Sequence, residues 1–150
     1  MGALQASHTV EIDAPRERCF EVAADVPASP VWNPSLESVE TLETHPDGRV
    51  SLVNITADAT VKKTHQRMRF DYDEPAGMTW EQEKGDLKWL KGSWEFTELD
   101  GGRTRATFAI EADPGRMLGM LLRGPVEGKV KEYLTKGAAE GLKSHVEAGS

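Results

Sequence analysis

Three successive segments, 61–72, 77–84 and 88–98, carry aromatic and apolar residues at one parity and charged residues at the other. The first set comprises Met68, Phe70, Tyr72, Met78, Trp80, Gln82, Leu90, Gly92, Trp94 and Phe96. The second set includes Lys63, His65, Arg67, Arg69, Glu81, Glu83, Lys91 and Glu95. Because side chains alternate with a period of two along a strand, this pattern predicts consecutive strands with one dry and one solvated face. We expect an antiparallel sheet whose inner face is rich in large rings.

Further strands are predicted on both sides of these segments. Residues 8–13 alternate between apolar and polar, and so do residues 103–112, which place Phe108 on the inner face. Segments 36–44 and 50–57 are predicted as strands, although 50–57 is apolar at both parities and its faces stay unassigned. Turn sequences rich in glycine, proline and aspartate separate the strands, since glycine tolerates positive φ angles.

The helical signals lie near the two ends of the chain. Residues 15–24 read as a short helix that begins at Pro15, and 27–34 as a second helical turn or structured loop. From Met117 the apolar spacing changes to three and four, which predicts an amphipathic helix over about 116–147. Gly124-Pro125 lies inside that span, and we expect it to kink the helix.

The order of these elements defines the fold class. One strand, two short helices, six further strands and one long C-terminal helix indicate an α+β arrangement in which the sheet and the helix bury their apolar faces against each other. A chain of 150 residues has room for one core, so we expect a single domain over residues 1–150.

Composition narrows the classes of partner. The net charge of −7 weighs against general nucleic-acid binding and against attraction to anionic membranes, while leaving room for a local basic patch. The single cysteine, Cys19, cannot form an internal disulfide and fits a reducing compartment. We find neither a signal peptide in residues 1–12 nor an apolar run that could span a bilayer, so we expect a cytoplasmic protein without stable membrane insertion.

Catalytic and metal-binding motifs are weak in this chain. The four histidines are scattered without metal-ligand spacing, no G-x-S-x-G elbow or phosphate loop is present, and Cys19 has no adjacent base. We therefore predict no cofactor, no metal site and no catalytic residue. The basic stripe from Lys63 to Arg69 could contact a phosphate, but we favour cross-strand ion pairs with Glu81 and Glu83.

The inner-face rings are the stronger functional signal. They could simply form a core, but Gly92, Ala106 and Ala112 on the same face would leave volume unfilled, which favours a cavity. Methionines on the C-terminal helix can adapt to an irregular ligand. Gln82 shares the inner face, where it could anchor a ligand or, near the strand end, reach water.

Several segments together resemble one known family. These are 10–15 leading into 19–26, the Pro30-Val31-Trp32-Asn33-Pro34 turn, Gly92-Ser93-Trp94-Glu95-Phe96, residues 102–108 and the C-terminal helix. The chain is similar to the START/Bet v1-like (SRPBCC) helix-grip superfamily, and within it to polyketide cyclase/dehydrase-like and coenzyme Q-binding-like proteins. The resemblance implies a seven-stranded antiparallel sheet wrapped around the C-terminal helix, with a cavity between them that holds lipids, sterols, quinones or polyketides.

Residues and resemblance together lead to three hypotheses. The first is a carrier for a small hydrophobic ligand. Its predicted ligand-binding residues are Phe70, Trp80, Trp94, Phe96 and Phe108 on the sheet, Met117, Met120 and Leu121 on the helix near the entrance, and Tyr72 and Gln82 as polar contacts. The second is a polyketide cyclase or dehydratase, which needs an acid or base inside the cavity. The third is an interaction module like the ribosome-associated toxin relatives of the family, which the acidic charge disfavours.

Overall fold

Seven strands form one curved antiparallel sheet that holds a long C-terminal helix, as the sequence predicts. The structure, a computed structural model, describes residues 3–149. Its strands are β1 (Leu4–Ile12), β2 (Leu36–Thr44), β3 (Val50–Asp58), β4 (Lys63–Asp73), β5 (Gly77–Gly85), β6 (Trp89–Leu99) and β7 (Arg103–Asp113). Its α-helices are α1 (Arg16–Ala24), α2 (Gly115–Leu121) and α3 (Pro125–Ala148), and 3₁₀ turns span Val26–Val31 and Asp100–Gly102.

The strand order follows from hairpins. Strands β2 to β7 each pair with the next along the chain, and β1 joins the sheet beside β7. The register sets Phe70 opposite Trp80, and Trp94 opposite Phe108, so the rings of neighbouring strands share the inner face. The pairing of β3 with β4 assigns the inner face of β3, because Val53 lies opposite Met68.

The C-terminal helical region is broken in two, which corrects the prediction of one kinked helix over 116–147. Helix α2 ends at Leu121, and α3 starts at Pro125 after Gly124, whose φ of 64° lies in the left-handed region. Pro125 has no N–H to donate, so it fits the first turn of a new helix better than the interior of a continuous one. Within residues 3–149, no helix is long and apolar enough to cross a membrane.

One end of the structure is closed by a packed core. Helix α3 packs against β1, β7 and α1, and its Leu142 and Val146 are fully buried. Phe20 of α1 makes edge-to-face contacts with Phe96, whose ring centroid is 6.5 Å away, and with Tyr72 at 6.3 Å. This end therefore consists of large buried side chains that pack on one another.

Ion pairs cover the outer face of the sheet. Arg69 pairs with Glu83, as the favoured interpretation of the basic stripe requires. The other members of the stripe face different partners: Lys63 Nζ lies 2.9 Å from a carboxylate oxygen of Glu37, and Arg67 donates to the amide oxygen of Asn54. The stripe is therefore a solvated sheet face whose charges are bonded largely toward β2 and β3.

Candidate functional site

A cavity of about 200 Å³ lies between the inner face of the sheet and helices α2 and α3. Its walls are mostly apolar. It sits toward the end of the sheet opposite the packed core, where the turns 59–62 and 86–88, the start of β1 and the junction of α2 and α3 frame an entrance. The cavity is thus open toward one edge of the molecule and closed by the core at the other.

Four of the rings predicted to line a cavity do line it: Phe70, Trp80, Trp94 and Phe108. They come from four adjacent strands, β4 to β7. The Trp80 ring lies between Phe70, at a centroid distance of 5.7 Å, and Phe108, at 5.5 Å, while Trp94 packs on Phe108 at 4.9 Å. These contacts hold each ring against its neighbours, so the sheet side of the cavity is a preformed aromatic wall.

Two of the predicted residues belong to the closed core. Phe96 packs between Phe20 and Trp94 and does not reach the cavity wall. The Tyr72 hydroxyl donates a 2.7 Å hydrogen bond to the carbonyl oxygen of Val50, and burial raises the pKa of Tyr72 above its usual value. Both residues share the inward parity of the lining residues, but they lie further along their strands, toward the closed end.

Gln82 also lies outside the cavity wall. Its Nε2 donates a 2.8 Å hydrogen bond to the carbonyl oxygen of Leu87, and its Oε1 is buried without a hydrogen-bond partner. The amide therefore holds the turn between β5 and β6, and that turn brings Leu87 to the cavity.

Met117, Met120 and Leu121 do not form the helix side of the cavity, which corrects that prediction. Their exposed fractions are 81%, 58% and 47%. Because α2 is a separate short helix, it packs through a different face, and Leu118 and Leu122 turn toward the cavity instead. The apolar spacing could not distinguish the two faces, since α2 is apolar on both.

The small residues of the inner face do not all leave space. A Cβ atom at Gly92 would lie 2.4 Å from ring atoms of Trp80, so the Trp80 indole already occupies the volume above Gly92. Ala106 is fully buried in the core, whereas Ala112 lines the cavity. Only Ala112 of the three therefore contributes to the cavity as expected.

A polar group in the cavity wall escaped the sequence analysis. Gln66 Nε2 donates a 3.0 Å hydrogen bond to Thr64 Oγ1, and both residues are buried and line the cavity. Nearby, the Asn33 side-chain oxygen accepts hydrogen bonds from the backbone N–H and the hydroxyl of Ser35. The signal for Gln66 was available, because it shares the parity of Met68 and Phe70.

Trp32 joins this wall from the 3₁₀ turn that follows α1. Its ring lies 6.2 Å from that of Trp94, and its Nε1 is buried without a hydrogen-bond partner. The Trp32 carbonyl packs so closely on α3 that a Cβ atom at Gly141 would lie 1.9 Å from its oxygen. Glycine at this position lets α3 approach the turn.

Charged side chains reach the cavity only at its entrance. Among residues 3–149, the titratable groups of the lining are Lys62, Glu127 and Lys131, and Lys131 Nζ lies 3.7 Å from a carboxylate oxygen of Glu127. No group of three or more His, Cys, Asp or Glu side chains in this part of the chain could hold a metal ion. The interior can therefore exclude water and hold an apolar molecule, while ionic contacts are confined to the rim.

Residues 12–136 match the family model described as "Polyketide cyclase / dehydrase and lipid transport". No curated protein matches the chain in sequence. The match covers much of the closed core and most of the cavity wall, from the end of β1 into the middle of α3.

Solved structures share the fold over nearly the whole chain. A START superfamily protein from Mycobacterium smegmatis has a TM-score of 0.84 and 20% identity, covering 97% of this chain and 99% of that chain. A protein from Thermus thermophilus has a TM-score of 0.83 and 22% identity, covering 98% and 99%. The Zhui aromatase/cyclase from a Streptomyces species has a TM-score of 0.76 and 21% identity, covering 97% and 94%. At these identities the likeness establishes the helix-grip architecture.

Proposed function

Because the chain belongs to the polyketide cyclase/dehydrase and lipid transport family of START-like proteins, we propose that it binds and carries a small hydrophobic ligand. The cavity between the sheet and α3 is the proposed binding site. The observation that carries the proposal is a preformed, mostly apolar cavity whose charged groups stand only at the entrance. Such sites bind by removing apolar surface from water.

The size of the cavity constrains the ligand. A cavity of ~150 Å³ can hold benzene, so about 200 Å³ has room for one or two rings or a short acyl segment. A ring system of that size buries roughly 200 Å² of apolar surface, equivalent to ~5 kcal/mol before the costs of association. A longer lipid, quinone or polyketide-like molecule would place its remaining length in the entrance.

The buried polar side chains support a ligand with a polar substituent. Gln66, Thr64 and Asn33 lie in the wall, and a carbonyl or hydroxyl group of a ligand could exchange hydrogen bonds with them. This favours a quinone or an oxygenated aromatic molecule over a plain hydrocarbon.

Cyclisation or dehydration of a polyketide is the alternative function. It would require a general acid and base near the substrate, and the described part of the lining supplies only Lys62, Glu127 and Lys131, at the rim. The carrier function needs no such groups. The proposal includes a cytoplasmic location, which the lone buried thiol of Cys19 supports.

Tryptophan fluorescence tests ligand binding directly. Three of the four tryptophans, Trp32, Trp80 and Trp94, line the cavity, while Trp89 does not. We expect a naphthoquinone to quench the wild-type protein in a saturable manner. Trp80→Phe and Trp94→Phe should each reduce the ligand-dependent change, and Trp89→Phe, the matched control, should retain it in full.

The ligand panel should also contain a fatty acid and an oxygenated polycyclic aromatic compound. Native mass spectrometry of protein purified from its own host should detect a retained hydrophobic molecule. Absence of both saturable quenching and a retained ligand would overturn the carrier function.

A further inference from the structure

An exposed apolar patch borders the cavity entrance. It consists of Met117, Met120 and Leu121 on α2 and Val61 in the turn between β3 and β4, and we call these four residues the entrance patch. Val61 is 39% exposed and also lines the cavity. Leu118 and Leu122, the chain neighbours of Met117 and Leu121, line it too, so both parts of the patch adjoin the cavity wall. Of the six large hydrophobic residues exposed in the described part of the chain, these are four.

Within residues 3–149, no other part of the chain covers the patch. The inward side of α2 is already formed by Leu118, with Leu122 directly after the helix, so the second apolar face of this short helix contributes no burial to the core. Apolar groups clustered on a surface are typical of sites that contact a protein partner or a membrane.

The charged residues around the patch help to decide between a protein partner and a membrane. Arg116 and Arg123 flank the patch residues of α2, Lys62 follows Val61, and Lys129 lies in the first turns of α3. All four are exposed. No ion pair to a carboxylate within 4.0 Å is found for any of them in residues 3–149, whereas most cations of the sheet strands, such as Lys63 and Arg103, are paired.

The carboxylates near the entrance are engaged elsewhere. Glu127 faces Lys131, Asp113 accepts a hydrogen bond from the Gly115 backbone, and Asp86 accepts one from the His65 backbone. The entrance therefore presents unpaired positive charge on a chain whose net charge is −7.

We propose that the entrance patch docks on the surface of an anionic lipid bilayer, with its methionine and leucine side chains in the interface and the surrounding cations on lipid phosphates. The unpaired cations complement an anionic surface, and apolar side chains ringed by Arg and Lys are the composition that binds membrane interfaces. The net negative charge opposes adhesion by any other face. Docking stands on the surface alone, and only its use, which is transfer of a ligand between bilayer and cavity, rests on the proposed function.

Vesicle co-sedimentation tests the proposal with the full chain. We expect binding to vesicles containing about one third phosphatidylglycerol and little binding to pure phosphatidylcholine. Binding should fall between about 0.03 M and about 0.5 M NaCl as the charges are screened. Arg116→Glu/Arg123→Glu should weaken binding by at least roughly 30-fold, and Met117→Ser/Met120→Ser should weaken it while leaving the salt dependence in place.

The matched control is Arg18→Glu/Lys136→Glu, which makes the same change in net charge on exposed positions outside the entrance. We expect it to retain at least about half of the wild-type binding, since the cations there are not part of the docking surface. Equal loss in both charge variants would overturn the proposal, as would equal binding to neutral vesicles. A homodimer in light scattering that dissociates on Met117→Ser/Met120→Ser would assign the patch to a second copy and also overturn it.

Ligand quenching in vesicle-free buffer separates this inference from the carrier function. Arg116→Glu/Arg123→Glu should quench like the wild type, because neither arginine lines the cavity. Loss of vesicle binding with intact quenching confirms docking as a separate property. Absent quenching with intact vesicle binding would refute the carrier function alone.

Discussion

Alanine at Gly141 and alanine at Gly128 are expected to change stability in opposite directions. Both glycines lie inside α3, where alanine is the better helix former by about 0.5–1 kcal/mol. At Gly128 nothing lies within 4 Å of the added Cβ, so Gly128→Ala should gain this amount. At Gly141 the same atom would lie 1.9 Å from the carbonyl oxygen of Trp32, so the substitution forces two packed elements apart.

The size of the clash sets the magnitude. Real Cβ atoms essentially never approach a neighbour closer than 3.0 Å, so α3 and the turn that carries Trp32 must separate by about 1 Å in a close-packed interior. Overpacking of this kind costs ~1–3 kcal/mol. After the gain in helix propensity, Gly141→Ala should lose up to about 2 kcal/mol. The gain is common to both variants, so Gly141→Ala should be ~1–3 kcal/mol less stable than Gly128→Ala.

Urea unfolding gives the free energy of unfolding of both variants, and thermal unfolding gives their Tm, each followed by circular dichroism. For a chain of this length a change of 1 kcal/mol shifts Tm by roughly 2–4 °C, so the two melting curves should separate clearly. Gly141→Ala should also alter quenching by a naphthoquinone, since Trp32 lines the cavity. If both variants gain the same stability, the close approach of α3 to the Trp32 carbonyl is wrong.

Tyr72, Cys19 and Gly92 each allow a further test of the structure. Burial raises the pKa of Tyr72, so the native chain keeps a proton that the unfolded chain releases, and stability should be lost as pH rises above about 10. Tyr72→Phe should lose less stability at alkaline pH, as measured by urea unfolding across pH. At neutral pH it should be about 1 kcal/mol less stable than the wild type, because it lacks the hydrogen bond to Val50. The same alkaline loss in the variant and the wild type would contradict this prediction. The Cys19 thiol is fully buried and its pKa is raised, so an aromatic disulfide reagent should react with it only after unfolding, and rapid labelling of the native protein would refute its burial. Gly92→Ala should lose about 1–3 kcal/mol by displacing the Trp80 ring, and a neutral result in thermal melts would show that the ring can move freely.

The inner face of the sheet could be predicted because its signal is local. Alternation follows from the pleat of each strand, so Phe70, Trp80 and Trp94 could be assigned to one face before any tertiary contact was known. Position along the strand has no such signal. Phe96 and Tyr72 have the same parity as the lining residues, but they lie toward the end that Phe20 closes.

The free volume of the cavity depends on which side chains lie opposite each other on neighbouring strands. Gly92 predicts open volume, but the register places it opposite Trp80, whose indole fills that volume. Such compensation between strands cannot be read from either strand alone. Gln66 shows the opposite case, because its parity alone predicts the inner face, although a polar side chain there is unusual.

The prediction of one continuous C-terminal helix was wrong for a different reason. Gly124-Pro125 is compatible with a kink and with a fresh helix start, and the sequence does not choose between them. The break leaves α2 as a separate helix, and its packing through Leu118 then determines that Met117 faces outward. One local ambiguity thus reversed the assignment of three residues.

The packed end and the hollow end of the sheet have consequences for how this chain could diversify. Phe20, Phe96 and Leu142 anchor the folded state without touching the cavity. Leu90 and Ile110 line the cavity and are only half-buried. Substitutions at the second pair can reshape the wall at little cost in folding free energy, so selection or directed evolution could retarget the cavity to new molecules while the scaffold stays intact.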